Sequence, residues 1–124
     1  MKVNKPWVKH YDPGVRDHLD YPNLCLYDML SIQARHIAEQ IAIVDQNRKI
    51  TYRELDNQST NFSTHLVELG FQAGDRVGIC LPNSIEFAVA YYGILKAGGV
   101  VTALNPAFPG HELELQIKKA GVRA

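Results

Sequence analysis

The stretch that decides the fold is residues 83–106, NSIEFAVAYYGILKAGGVVTALNP. Asn83 is a favoured helix cap, and Glu86 three residues later predicts a capping box. The apolar residues that follow predict a helix that ends at the glycines 98–99, and residues 100–104 predict a buried β-branched strand.

The residues before this stretch predict a preceding strand. Residues 76–81, RVGICL, form a nearly continuous apolar run, which is typical of a strand buried on both faces. Cys80 lies in this run, so we predict a buried free thiol and a cytosolic protein. Strand, helix and strand together predict a βαβ crossover with parallel pairing.

The residues after the stretch predict the start of another such unit. Asn105 and Pro106 break the strand, and Pro109 is well placed near the start of a last helix. The predicted inward face and terminating glycine of this helix are Leu113, Ile117, Ala120 and Gly121. Three residues remain where the next strand would begin, so the pattern predicts a chain cut partway through a doubly wound α/β sheet.

The first half of the chain divides into an arm and the start of the packed unit. Residues 1–25 carry scattered prolines and aromatics without a period of 2 or 3.6, which predicts an extended N-terminal arm. Residues 26–124 are predicted to form a partial α/β subdomain. Its first elements are a helix from 26 to about 37 and a small hairpin built from residues 41–44 and 49–51.

A second capping-box pattern begins the next helix. Thr51 can accept a hydrogen bond from the third helical N–H while Glu54 reaches back to the cap. Gly70 predicts the end of this helix in the left-handed conformation.

Composition excludes several classes of function. The chain has 124 residues, 46% hydrophobic and 21% charged, with a formal net charge of zero. This balance shows no electrostatic footprint for nucleic acid and no polybasic segment for a membrane surface. The longest strongly apolar run, residues 87–95, is too short to span a bilayer.

No phosphate cradle is visible in the turns where one would be expected. The candidate turns, residues 82–84 and 105–110, match neither GxGxxG nor GxxxxGK[ST]. The helix start near Ser84 could attract an anion through its free N–H groups. The pattern favours a structural cap instead, because Glu86 already answers those groups.

Other chemistry-bearing residues also lack a catalytic or metal-binding pattern. The five histidines have neither histidine nor cysteine partners at ligand spacing, the serines lack a nucleophile elbow, and the acidic residues of the arm do not match a calcium loop. The residues considered were His10, His18, His36, His65, His111, Ser59, Ser63, Ser84, Asp12, Asp17 and Asp20. The sequence therefore predicts no catalytic, cofactor-binding or metal-binding residue.

An ordered set of motifs nevertheless resembles a known superfamily. Residues 50–55, ITYREL, resemble the ITYxEL opening motif of the adenylate-forming (AMP-binding) enzymes, the acyl-CoA synthetase and luciferase-like superfamily. Residues 74–77 followed by 81–87 resemble the next block, and residues 92–99 resemble the one after that. The pair Asn105-Pro106 is more similar to acyl-CoA ligases than to peptide-synthetase adenylation domains. Residues 5–15 of the arm are similar to the head of long-chain fatty acyl-CoA ligases.

The resemblance implies the N-terminal subdomain of this fold and a role as part of a larger ligase. Such enzymes use ATP and Mg²⁺ to convert a fatty acid into an acyl-adenylate and pyrophosphate, then transfer the acyl group to CoA. Their phosphate loop and catalytic lysine lie downstream of these motifs, so no cofactor is expected to bind this chain alone. The resemblance implies scaffold roles for residues 96–99, as a helix–strand turn, and for Asn105-Pro106, as a loop after a strand.

Two rival functions remain open at this stage. One is a stand-alone, non-catalytic α/β interaction or regulatory module, and the other is a dinucleotide binder, against which the missing glycine fingerprint argues. The expected partners are a fatty acid and CoA in the parent enzyme, without nucleic acid. A second copy is also expected to associate through the arm or an exposed sheet edge. The expected location is the cytoplasm, with peripheral membrane association left open.

Overall fold

The chain folds as an α/β unit with two small sheets. The computed structural model of the protein describes residues 5–123. A 3-10 turn at Val8–His10 precedes the regular elements. These are α1 (Leu26–His36), β1 (Ile41–Asp45), β2 (Arg48–Thr51), α2 (Tyr52–Glu68), β3 (Arg76–Ile79), α3 (Ile85–Lys96), β4 (Val100–Ala103) and α4 (Gly110–Ala120).

The predicted hairpin is confirmed. Strands β1 and β2 pair antiparallel, from Asp45 opposite Arg48 to Ile41 opposite Thr51, with one irregularity near the start of β1. Gln46 adopts a φ of 53° in the connecting turn, a conformation that polar turn residues tolerate better than apolar ones.

The capping box of α2 is also confirmed. The Thr51 hydroxyl accepts from the Glu54 backbone N–H at 3.2 Å, and the Thr51 N–H donates to the Glu54 carboxylate at 2.8 Å. The donor groups of Thr51 hold the pKa of Glu54 below its ordinary value. Beyond the helix, Gly70 has a φ of 86°, as the sequence predicts.

The βαβ crossover forms the second half of the unit. Strands β3 and β4 pair in parallel, from Arg76 opposite Val100 to Ile79 opposite Ala103, with α3 between them in the chain. Gly98 follows α3 with a φ of 78°, and Gly121 follows α4 with a φ of 62°. The predicted parallel architecture is therefore confirmed.

Three predictions about this half of the unit are wrong, because the side chains concerned are exposed to solvent. Cys80 is exposed rather than buried, because β3 ends one residue earlier. Val100 is 46% exposed, so β4 is not a buried strand. Ile117 is 40% exposed although it was expected to face inward. Among the described residues this sheet has two strands, too few to cover both faces.

A fourth prediction, which concerned the residue that caps α3, is also wrong. The cap is Ser84, not Asn83: its hydroxyl accepts from the Phe87 N–H at 3.2 Å. The Glu86 carboxylate does not complete a capping box, because it pairs with the guanidinium of Arg48 from the hairpin.

Among the residues that the structure describes, the buried apolar side chains form two separate clusters. The hairpin cluster consists of Leu30, Ile50, Leu55 and Ile85. The sheet cluster consists of Leu66, Val77, Ile79 and Ile94. Helices α2 and α3 contribute to both clusters, and their mutual packing joins the two halves of the unit.

The N-terminal arm keeps its aromatic side chains at the surface. Trp7, Tyr11 and Tyr21 are 51%, 43% and 80% exposed. Residues 1–4 of the predicted arm lie outside the described residues. The division between arm and subdomain at residue 25 stays a prediction.

Candidate functional site

The position where an open parallel sheet binds ligands lies outside the carboxyl ends of its strands. In this chain, that position is a shallow crevice of about 440 Å³ beyond β3 and β4. Its lining residues come from the two strand–helix loops, from α3 and from the end of β4: Leu81, Pro82, Asn83, Phe87, Ala103, Leu104, Asn105 and Pro106. The crevice is mostly apolar, with two asparagines as its polar groups.

The helix N-terminus beside this crevice is already occupied by side chains of the protein. The Ile85 N–H donates to the Asp45 carboxylate at 3.4 Å, and the Phe87 N–H donates to the Ser84 hydroxyl at 3.2 Å. These groups would otherwise be free to bind a phosphate. The start of α3 is thus capped, but by Ser84 and Asp45 rather than by the expected Asn83 and Glu86.

An ion cluster joins the hairpin to the start of α3. The Arg48 guanidinium donates to both Glu86 carboxylate oxygens and to Asp45 at 2.6 Å. This pairing lowers the pKa of Glu86 to about 2 and raises the pKa of Arg48. Both charges are engaged in a structural contact, so neither is available as an acid or base near pH 7.

Asn105 builds the loop after β4. Its side-chain oxygen accepts from the Ala107 N–H at 3.0 Å, and its carbonyl accepts from the Phe108 N–H at 3.1 Å. An Asx turn of this kind fixes the direction of the chain after a strand. The structure thus places Asn105-Pro106 in the loop that the family resemblance implied.

The functional candidates among the serines, histidines and aspartates do not come together. Ser59 and Ser63 donate to backbone carbonyls of α2, as helix hydroxyls commonly do. All five histidines are exposed, at His10, His18, His36, His65 and His111. Within residues 5–123, no three acidic, histidine or cysteine side chains are grouped as a metal site would require.

Sequence reasoning missed one buried charge. The Lys96 side chain is only 10% exposed, and its Nζ donates to the Asp56 carboxylate at 2.7 Å, to the Asp56 carbonyl at 2.9 Å and to the Thr60 hydroxyl at 2.8 Å. Ser31 of α1 donates to the same carboxylate at 2.8 Å. The available signal was weak: Asp56 and Thr60 share one face of α2 at i, i+4 spacing.

The donor groups that are best placed to meet a phosphate are already paired within the protein. The helix N–H groups beside the crevice are satisfied internally, and the three donors of Lys96 each have an acceptor. No catalytic step can be derived from these residues. In the same part of the chain, no helix combines the length and apolar character needed to cross a bilayer.

Comparison with known protein families identifies the class to which this α/β unit belongs. Residues 30–124 match the family described as AMP-binding enzyme, and the chain belongs to this family. The fold and the family predicted from the motifs are therefore confirmed.

The curated relatives of this chain include several fatty acid ligases. The chain is 34% identical over 122 residues to a long-chain-fatty-acid–CoA ligase of Bacillus subtilis, covering 98% of this chain and 22% of that protein. It is 33% identical over 124 residues to the ligase of the same name from Escherichia coli O6:H1, with the same coverage. A malpinin synthetase of Mortierella alpina is 38% identical over 96 residues, covering 77% of this chain and 1% of that protein. The chain thus spans about a fifth of the length of the ligases that it matches.

Solved structures support the same fold. The N-terminal subdomain of Klebsiella oxytoca NpsA, solved in complex with 3-hydroxyanthranilyl-AMSN, superposes with a TM-score of 0.76 at 26% identity. The match covers 79% of this chain and 25% of that one. VinN, solved in complex with 3-methylaspartate, superposes with a TM-score of 0.76 at 31% identity, covering 78% of this chain and 27% of that one.

Proposed function

We propose that this chain is the N-terminal scaffold of an ATP-dependent fatty acid–CoA ligase. The supporting observation is the likeness to long-chain-fatty-acid–CoA ligases over 98% of the chain. The parent enzyme would convert a fatty acid and ATP into an acyl-adenylate and pyrophosphate, with Mg²⁺, and then form a thioester with CoA. An acyl-adenylate is reactive because AMP is a much better leaving group than a carboxylate oxygen.

The chain on its own is proposed to be catalytically silent. Its polar groups at the carboxyl edge of the sheet serve the hairpin, the helix cap and the loop turn. Its buried lysine serves the interface of α2 and α3. We therefore expect no binding of ATP, Mg²⁺ or CoA to the isolated chain.

Pyrophosphate exchange tests this proposal directly. The purified 124-residue chain is assayed for fatty-acid-dependent ATP–pyrophosphate exchange over a range of acyl lengths, with the Bacillus subtilis ligase as positive control. We expect exchange from the control only. Exchange by the isolated chain would overturn the assignment of a scaffold role.

A chimera tests whether the chain can serve as ligase scaffold. The region of the Bacillus subtilis ligase that aligns with this chain, 22% of that protein, is replaced by this chain. We expect the chimera to form acyl-CoA, while the same ligase lacking the region does not. A chimera that folds but forms no acyl-adenylate would favour the stand-alone interaction module instead.

The remaining proposals concern assembly and location. We propose that the isolated chain self-associates through its exposed arm aromatics or the open sheet edge, since both leave apolar or backbone groups uncovered. Sedimentation at increasing concentration measures this self-association, and a constant monomer mass would count against it.

We propose a cytoplasmic location, and fractionation of cells would reveal any peripheral association with membranes.

A further inference from the structure

The crevice beyond β3 and β4 combines an apolar lining with a volume suited to a small ligand. Leu81 lies on the loop after β3, Phe87 lies on α3, and Leu104 follows β4. Leu104 is 6% exposed and its N–H donates to the Ile79 carbonyl at 2.8 Å, so the sheet holds this part of the lining in place. The volume of about 440 Å³ is within the usual range for a small-molecule site. The crevice can therefore cover an apolar group.

Several polar groups beside the crevice are paired within the protein. The Asn105 side-chain oxygen accepts from the Ala107 N–H at 3.0 Å. The Ser84 hydroxyl accepts from the Phe87 N–H at 3.2 Å. A ligand that bound through these groups would have to break their contacts, whereas a hydrocarbon chain would leave them intact.

The charges nearest to the crevice disfavour an anion. Residues 81–83 line the crevice and also line the pocket that contains Asp45, Arg48 and Glu86. In this cluster two carboxylates face one guanidinium, so negative charge is in excess. A carboxylate or phosphate in the crevice would meet this excess and would lose hydration, but an uncharged chain would have neither cost.

We propose that the crevice binds the hydrocarbon tail of the fatty acid, with the carboxylate directed away from the cluster of Asp45, Arg48 and Glu86. The identity of this ligand rests on the proposed function. Of the substrates of such a ligase, the fatty acid alone offers a long hydrocarbon end. Each methylene group that leaves water for an apolar site strengthens binding about fourfold.

A second apolar groove, of about 460 Å³, runs along β3 and is the alternative site for a hydrocarbon tail. The groove along β3 is lined by residues of β3, α2 and α3, among them Phe62, Val89 and Ala90. Its lining shares only Leu81 with the crevice. The crevice is favoured because ligands of open parallel sheets bind beyond the carboxyl ends of the strands.

Photoaffinity labelling of the 124-residue chain locates the tail. The probe is dodecanoic acid with a diazirine near its methyl end, used below its critical micelle concentration, and mass spectrometry maps the cross-links. We expect saturable cross-links to residues 103–106, which line the crevice but not the groove. Cross-links confined to residues 58–62 or 89–90 would assign the tail to the groove and overturn the proposal. Labelling that does not saturate would also overturn it.

Two unlabelled competitors test whether the site rejects charge at the end of the tail. Dodecanol at about ten times its Kd should reduce the labelling of residues 103–106 about tenfold. Dodecanedioic acid has the same length but a carboxylate at each end, so we expect it to compete about tenfold more weakly. Equal competition by the two compounds would contradict the proposed orientation of the fatty acid.

The chimera with the Bacillus subtilis ligase tests the crevice during the reaction. Ala103 lines the crevice at the exposed end of β4, and Ala103→Leu fills part of the space. For fatty acids long enough to reach the crevice, KM should rise about tenfold while kcat and the KM for ATP stay unchanged. Shorter fatty acids should show no change. Ala107→Leu is the matched control, because Ala107 lies outside the crevice lining, and it should alter none of these values.

Failure of this inference and failure of the proposed function give different results. An active Ala103→Leu chimera with an unchanged dependence of KM on chain length would overturn the tail site and leave the scaffold function intact. A folded but inactive parent chimera would instead count against the scaffold function. The labelling of the isolated chain still tests the crevice in that case, because it requires no catalysis.

Discussion

The hairpin cluster and the sheet cluster differ in how completely the surrounding helices and strands cover them. Helices α1, α2 and α3 and the hairpin surround the hairpin cluster. The ion pair of Arg48 with Glu86 links the hairpin to α3 at the surface beside this cluster. The sheet cluster is covered by α2 and α3 but borders the groove along β3. None of the residues of α4, all of which the structure describes, is buried.

The hairpin cluster is therefore covered by the helices and the hairpin around it, whereas the sheet cluster is only partly covered. The hairpin cluster is enclosed on several sides, because α1, the hairpin, α2 and α3 each supply a buried residue to it. A parallel sheet needs a crossover connection for every added strand. Within residues 5–123 this sheet has two strands, so most backbone groups on its outer edges have no strand partner. We therefore expect substitutions at the helix interface to affect the whole unit, and those in α4 to have little effect.

The largest effect is expected from Ile94→Ala. Ile94 is completely buried in the sheet cluster, and removal of its side chain leaves a cavity. We expect a loss of about 3 kcal/mol in the free energy of unfolding, measured by urea denaturation. Val67→Ala is the control, because Val67 is 58% exposed on α2, and it should change stability by less than about 0.5 kcal/mol. Equal losses at both positions would show that the sheet cluster is not formed.

Gly93→Ala tests the close contact between α2 and α3. A Cβ at this position would lie 2.6 Å from Phe62 Cδ1 and 2.9 Å from the Ser59 carbonyl oxygen, so the helices must separate. We expect a loss of about 2 kcal/mol in thermal or urea unfolding.

Gly110→Ala is the matched control for this substitution. A Cβ at Gly110 meets no atom within 4 Å, and alanine is the better helix former, so a gain of up to about 1 kcal/mol is expected. A destabilisation at Gly110 that matched Gly93→Ala would contradict the contrast between the packed helix pair and α4.

Lys96→Met tests the buried ion pair that links α3 to α2. The substitution keeps most of the apolar volume but leaves the Asp56 carboxylate, which is 24% exposed, without its cation. We expect a loss of about 1.5 kcal/mol, below the range for fully buried pairs because Asp56 retains contact with water. Lys118→Met, which removes the exposed pair with Glu114, should have almost no effect. Similar stabilities for the two variants would refute a structural role for Lys96.

Arg48→Gln tests the ion cluster at the boundary of the hairpin cluster, with the smallest expected effect. The pKa of Glu86 is about 2 in the folded protein, below its ordinary value of 4.5. The stabilisation that the Arg48–Glu86 pair gives to the folded protein is therefore present above about pH 4.5 and is lost as the pH falls toward 2. The Tm difference between wild type and Arg48→Gln should shrink over this interval, measured by circular dichroism.

Arg53→Gln, which breaks an exposed pair with Glu39, is the control for the pH experiment. Its smaller Tm difference from wild type should show no comparable step. A Tm difference for Arg48→Gln that stays constant between about pH 6 and pH 2 would exclude the Glu86 pairing as its cause.

Features set by neighbours along the chain could be predicted from the sequence. The capping box of Thr51 and Glu54, the hairpin turn and the glycine that ends α2 each depend on residues within about four positions of one another. The crossover was also predictable, because its pattern of apolar runs and its length leave few alternatives. The family was recognisable from the order of its motifs.

Features set by contacts between distant residues could not be predicted in this way. Glu86 was expected to cap its own helix, but Arg48, 38 residues earlier, provides a stronger partner for the carboxylate. Ser84 then acts as the cap in place of Asn83. The spacing of Asp56 and Thr60 on α2 was too weak a signal to predict that the Lys96 ammonium group, 40 residues away, would pair with Asp56.

The sequence by itself determined the order of elements, the cap of α2, the hairpin turn and the membership of the AMP-binding family, because these depend on local backbone preferences and on motif order. The tertiary structure alone decided which charges are paired, which strand residues are exposed and which sheet edge stays open. Cys80 shows the reason: its apolar neighbours predict burial, but burial requires a covering element that no local pattern supplies. The crevice beyond β3 and β4 therefore emerges only from the paired strands and the loops that follow them.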